Sequence, residues 1–81
     1  MAKPSPSYCG SKQLIALGKA IREFRQENGL SQEALANEIG IDRSYMGGIE
    51  RGEHNVALLN QLKIARALGL KLSEIYKSAK L

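Results

Sequence analysis

The stretch QEALANEIGIDRSYMGGIERG, residues 32–52, decides how this chain folds. Ser31 precedes it and Asp42 lies inside it. Both are residue types that begin helices, because a short side-chain oxygen can satisfy an amide that the first turn leaves unpaired. The run after Ser31 places Leu35, Ala36 and Ile39 on one side, and the run after Asp42 does the same with Met46 and Ile49. Only Gly40 and Ile41 separate the end of the first run from the cap of the second. Gly40 suits the positive φ of a sharp turn. Ala36 is small, so the second helix can cross close above the first. Leu35, Ile39, Ile41, Met46 and Ile49 then point inward and lock the pair at a fixed angle. The expected product is a rigid corner whose second helix presents Arg43, Ser44, Gly47, Gly48 and Arg51 outward, with Tyr45 at the edge.

Outward from this corner, the chain reads as further short helices separated by glycine or polar residues. Leu14, Leu17, Ile21 and Phe24 recur at spacings of three and four, which predicts a first helix over 11–28 with one apolar stripe. Gly29 ends it. A fourth helix is expected over 57–68, carrying Leu58, Leu59, Leu62, Ile64, Ala65 and Leu68, with Gly69 as its stop. A fifth runs over 73–78 with Ile75 and Tyr76 apolar, and with Leu72 packing just before it. No stretch alternates with period two. The fold class is therefore all-α, with five helices in one domain over 11–81. Residues 1–10 hold both prolines among small polar residues and read as a flexible arm, for which disorder without a role is the plainer reading and a DNA contact through Lys3 the alternative.

Composition excludes several functions. The single cysteine, Cys9, permits no intramolecular disulfide and reads as an ordinary reduced thiol. One histidine, His54, makes no metal set with it. No nucleophile–base pair or phosphate-binding loop appears, so no enzyme, cofactor or small-molecule ligand is implied. No apolar run approaches the ~20 residues of a membrane span, and no signal-peptide stretch opens the chain. A cytoplasmic setting is expected. The formal charge of +4 permits a polyanionic partner but does not demand one. Its distribution is uneven: residues 1–30 carry +3, residues 31–55 carry −3 and residues 56–81 carry +4. The acidic middle looks awkward for nucleic-acid binding until it is placed on helices. Glu33 and Glu38 can face away from the corner, Asp42 caps, and the outward residues Arg43 and Arg51 are basic.

A fixed two-helix corner is the physical content of a helix-turn-helix, which presents its second helix to the DNA major groove. The pattern LGKAIREFRQENGLSQEALANEIGIDRSYMGGIERGEHN followed by LLNQLKIARALGLKLSEIY covers Leu17 to about Tyr76. It resembles the lambda-repressor-like, or XRE, family of helix-turn-helix DNA-binding proteins. Its segment IDRSYMGGIERG is similar to the controller proteins of restriction–modification systems, which are homodimeric transcription regulators. Phage-type repressors share the scaffold, as do antitoxins that bind a toxin protein and autoregulate their own promoter.

The resemblance implies a role for each residue. Arg43 reads a base, its fork matching O6 and N7 of a guanine; an ion pair with Asp42 or Glu38 is the plainer alternative. Ser44 reaches a base edge or a phosphate. Gly47 and Gly48 each cost roughly 1 kcal/mol inside a helix. Either they let the backbone approach a groove, with the bare Gly48 leaving recognition more to DNA shape, or they mark a close helix–helix contact or an early helix end. Gln32, Tyr45, Arg51, His54 and Asn55 are expected at phosphates. For Gln32 and His54 simple solvation is the alternative, and for Tyr45 partial packing in the core. Arg25 and Glu50 are expected to form a structural ion pair. Leu68, Leu70, Leu72, Ile75 and Tyr76 supply both core closure and a two-fold interface. The partners implied are a double-stranded, pseudo-palindromic operator and a second copy of the chain. RNA polymerase joins them if the acidic face of helix 2, Glu50 or Glu53 touches it.

Overall fold

The computed structural model describes residues 10–81, which form α1 (Lys12–Glu27), α2 (Gln32–Ile39), α3 (Arg43–Glu50), α4 (Leu58–Ala67) and α5 (Leu72–Ser78). No strand occurs among the described residues, and the chain is all-α. The arm expected over residues 1–10, with Lys3 and Cys9, falls outside the described residues except for Gly10.

Local chemistry sets the helix ends. The Ser31 hydroxyl accepts the Ala34 amide at 3.0 Å, a cap that contributes about 1 kcal/mol. α2 stops at Gly40, whose φ of 75° and ψ of 31° lie in the left-handed region. The turn lets the Ile41 amide reach back to the Ala36 carbonyl at 2.9 Å, pairing an acceptor the helix end leaves free. Asp42 has the extended backbone of a capping residue, but its carboxylate makes no cap to a backbone amide and takes the Ser44 hydroxyl instead. α5 begins one residue earlier than expected. Leu72 is helical, and the Glu74 carboxylate accepts the Lys71 amide at 3.1 Å.

The core gathers Leu17, Ala20 and Ile21 of α1, Leu35 and Ala36 of α2, and Met46 and Ile49 of α3. Ile64, Ala65 and Leu68 close it from α4 and Ile75 from α5, with Val56 entering from the α3–α4 connection. α1 crosses α3 at Gly18, where an added Cβ would stand 2.6 Å from the Glu50 carbonyl oxygen. Backbone lies against backbone there, and no larger residue fits. This crossing fixes the tilt of α3 from behind.

Two expected interface residues belong to the core. Leu68 and Ile75 are buried, because they cover the end of the bundle that the short α5 alone cannot fill. Leu70, Leu72 and Tyr76 are half-buried and pack against the same cluster. The more exposed apolar side chains stand elsewhere: on α4, Leu58, Leu59 and Leu62 are 59, 71 and 45% exposed, and Ile15 and Leu81 are 45 and 52% exposed. Ile64, Ala65 and Leu68 take the inward side of α4, which leaves Leu58, Leu59 and Leu62, at spacings of three and four, on its outer face. Among the described residues, no helix is long and apolar enough to cross a membrane.

Candidate nucleic-acid interface

α3 is held by an ion-pair network rather than by apolar packing alone. Arg25 and Glu50 are each only 7% exposed. Arg25 Nε donates to Glu50 Oε2 at 2.6 Å and Nη2 to Oε1 at 3.0 Å, while Nη1 donates to the Leu30 carbonyl at 2.7 Å. Every nitrogen of the guanidinium is thus paired, as a desolvated charge requires. Gln32 joins the network, its Nε2 donating to Glu50 Oε1 at 2.9 Å. One carboxylate at the end of α3 therefore ties together α1, the α1–α2 turn and the first residue of α2. The Gln32 side chain, expected at a phosphate, commits one of its two amide hydrogens to this carboxylate. Glu50 is too buried to meet a polymerase.

The outer face of α3 differs from the expected one. Arg43 stands exposed at the first helical position and enters no ion pair among the described residues. Neither Asp42 nor Glu38 engages it. Ser44 is half-buried and donates its hydroxyl to Asp42. That hydrogen bond holds the Asp42 carboxyl below its ordinary value of 3.8, so it is ionised at neutral pH. Tyr45 is half-buried and packs on the His54 ring, with centroids 4.8 Å apart and planes tilted by 58°.

The two glycines are not open to solvent. His54 is 6% exposed and lies across Gly48, where an added Cβ would be 2.5 Å from its Nε2. The reading of Gly48 as bare backbone against a groove is corrected: it makes room for a histidine of the chain itself. The reading of His54 as a solvated loop residue is corrected with it. Gly47 is covered too, since an added Cβ would stand 3.0 Å from Arg51 Nη1 and 3.5 Å from Gln32 Oε1. Arg51 makes a two-point ion pair with Glu53, Nε to Oε2 at 2.8 Å and Nη2 to Oε1 at 3.1 Å. The Arg51 hydrogen bond lowers the Glu53 carboxyl below 4.5, and Glu53 in turn raises Arg51. Asn55 is exposed in the same connection.

The exposed polar residues of α3 and the connection after it are thus Arg43, Arg51 and Asn55, with Ser44 and Tyr45 half-buried, and both Arg51 and Gln32, at the start of α2, approach Gly47. Such a set of residues offers cationic forks and amide donors on a rigid helix, which suits phosphates and base edges. Sequence reasoning missed Gly18, Gln32 as a network member and Glu53 as the partner of Arg51. A lone glycine inside a helical pattern was a visible signal for Gly18. The other two depend on side-chain geometry.

The profile of the helix-turn-helix family matches residues 21–75. The chain is 43% identical over 63 residues to the control protein C.MunI of Mycoplasma sp, covering 76% of this chain and 85% of that protein. It is 39% identical over 72 residues to the control protein C.SmaI of Serratia marcescens, covering 89% and 86%. Among solved structures, the restriction-modification controller protein C.AhdI from Aeromonas hydrophila superposes with a TM-score of 0.75 at 52% identity, over 76% of this chain and 94% of that one.

Proposed function

The chain belongs to the helix-turn-helix family, and on that premise we propose that it is a transcriptional regulator of the controller type, binding double-stranded DNA sequence-specifically as a homodimer. The observation that carries this reading is the α2–α3 corner, locked from behind by the Arg25–Glu50–Gln32 network, with Arg43 exposed and unpaired at the start of α3. An arginine at the leading end of a rigid second helix is placed to enter a major groove and grip a guanine, worth about 1–3 kcal/mol of discrimination. The N-terminal amides of α2 and the Tyr45 hydroxyl supply phosphate contacts that set register. The leucines of α4 supply the surface that a second copy covers. Repression follows where the operator overlaps a promoter, and activation follows where the bound dimer meets RNA polymerase.

Selection of bound sites from random duplex DNA tests this reading. The expected product is a motif with two-fold symmetry and half-sites about one helical turn apart. Binding should weaken steeply with salt yet survive excess random competitor. Failure to select any motif overturns the reading, and a motif without symmetry overturns the homodimer.

A further inference from the structure

Glycines 47 and 48 strip the middle of α3 of side chains, and the turn that follows puts side chains back. His54 covers Gly48 and the Arg51 guanidinium covers Gly47. Arg51 is the C-cap residue, yet its side chain folds toward the helix N-terminus, so its charged end lies over a residue four positions earlier. With 59% of the side chain exposed, the group is open to an incoming ligand.

We propose that Arg51, clamped by Glu53 over the bare backbone of Gly47, is a guanine-reading residue of α3, and that Glu53 is the residue that positions it. The proposal rests on the reading that α3 faces DNA. Glu53 occupies one edge of the guanidinium, the Nε and Nη2 side. The end-on edge, made by Nη1 and the outer hydrogen of Nη2, makes no hydrogen bond among the described residues. That pair of donors matches O6 and N7 of guanine, and a planar fork fixed on one edge presents the other in a set orientation. The phosphate role expected of Arg51 from the sequence requires only a cation. It gives no reason for a carboxylate beside it, which repels the DNA backbone. Orientation gives that reason. The same geometry suits Gly47, because an added Cβ would stand 3.0 Å from Nη1 and the guanidinium would have to give way by a few tenths of an ångström.

The experiment compares the intact wild-type chain with Glu53→Gln and Arg51→Lys, measuring affinity for the selected operator and for operators altered one base pair at a time. The wild type is expected to prefer G·C by roughly 5- to 100-fold at a position of each half-site that Arg43→Ala leaves unchanged. Both variants are expected to lose that preference and keep the others. A uniform gain in affinity for Glu53→Gln, with every preference intact, overturns the proposal and makes Glu53 only a repelling charge. A uniform loss for Arg51→Lys across all sequences overturns it in favour of a phosphate contact. A second measurement uses no DNA: the Arg51 Nε proton should be held in slow exchange by NMR in the wild type and released in Glu53→Gln. A freely exchanging proton in the wild type overturns the clamp. If the wild type selects no motif at all, the DNA reading itself falls and takes this one with it. A motif read identically by all three proteins overturns this proposal alone.

Discussion

Arg25 and Glu50 show how much a single buried carboxylate can organise. Glu50 accepts from Arg25 twice and from Gln32 once, so removing either charge leaves the other stranded out of water. Arg25→Ala or Glu50→Ala is expected to cost about 3–5 kcal/mol, comparable with the whole stability of a domain this small. Replacing both by apolar residues of similar volume, Arg25→Met with Glu50→Leu, should cost less than either single change, as read by urea unfolding. The reading surface carries a second pair with different physics. Glu53 is half-buried and Asp42 exposed, and their carboxyls are lowered by Arg51 and by the Ser44 hydroxyl respectively. Lowered folded values mean that their stabilisation is present above the unfolded values of about 4.5 and 3.8 and is lost as pH falls through the folded ones. NMR titration should place Glu53 below 4.5 in the wild type and return it toward that value in Arg51→Met. An unmoved titration would remove the ion pair from solution.

At the scale of elements, the corner depends on two glycines for two reasons. Gly40 needs conformational freedom, since its φ of 75° is left-handed and nothing lies within 4 Å of an added Cβ. Gly40→Ala should therefore cost only the backbone strain, about 1–2 kcal/mol. Gly18 needs space. Its helical backbone would welcome alanine, but the α3 backbone at Glu50 stands 2.6 Å from the added atom and cannot rotate away. Gly18→Ala should cost about 3 kcal/mol or more, because two helices must separate. Thermal unfolding of the two variants checks the order, and an equal or smaller loss at Gly18 would contradict the close crossing. The elements themselves were legible from periodicity and punctuation. Each helix begins and ends within about a residue of expectation because Ser31, Gly40 and Gly69 act locally. Gly18 was not interpreted, since its reason sits on α3, more than thirty positions along the chain.

For the whole molecule, size argues for pairing. Its extents of 31 × 28 × 20 Å suit one half-site of a duplex, and two such bodies side by side set their α3 helices roughly one helical turn, 34–36 Å, apart. The outer leucines of α4 are the surface proposed for that contact, and Leu59 at 71% exposure is the most open of them. Leu59→Glu should leave monomer stability within about 0.5 kcal/mol while shifting sedimentation to the monomer and weakening binding to a symmetric operator far more than to an isolated half-site. A dimer that survives the charge would place the interface elsewhere. The five apolar residues near the C-terminus were expected to divide between core closure and an interface, but hydrophobicity does not say which side of a helix the core claims. Burial took Leu68 and Ile75 and left Leu58, Leu59 and Leu62.

The sequence by itself determined what short-range chemistry controls: an all-α chain, the corner between α2 and α3, and Arg43 at its leading edge. The regional charges also resolved in part at that level, because Glu33 and Glu38 sit exposed on α2 while Arg43 and Arg51 stand exposed at the two ends of α3. Only the tertiary structure decided which side chains cover the bare middle of α3. His54 lies over Gly48 because the chain turns back after Gly52, whereas Arg51 reaches Gly47 from four positions along the same helix face. That return is a matter of packing and side-chain direction, and residue spacing alone contains neither.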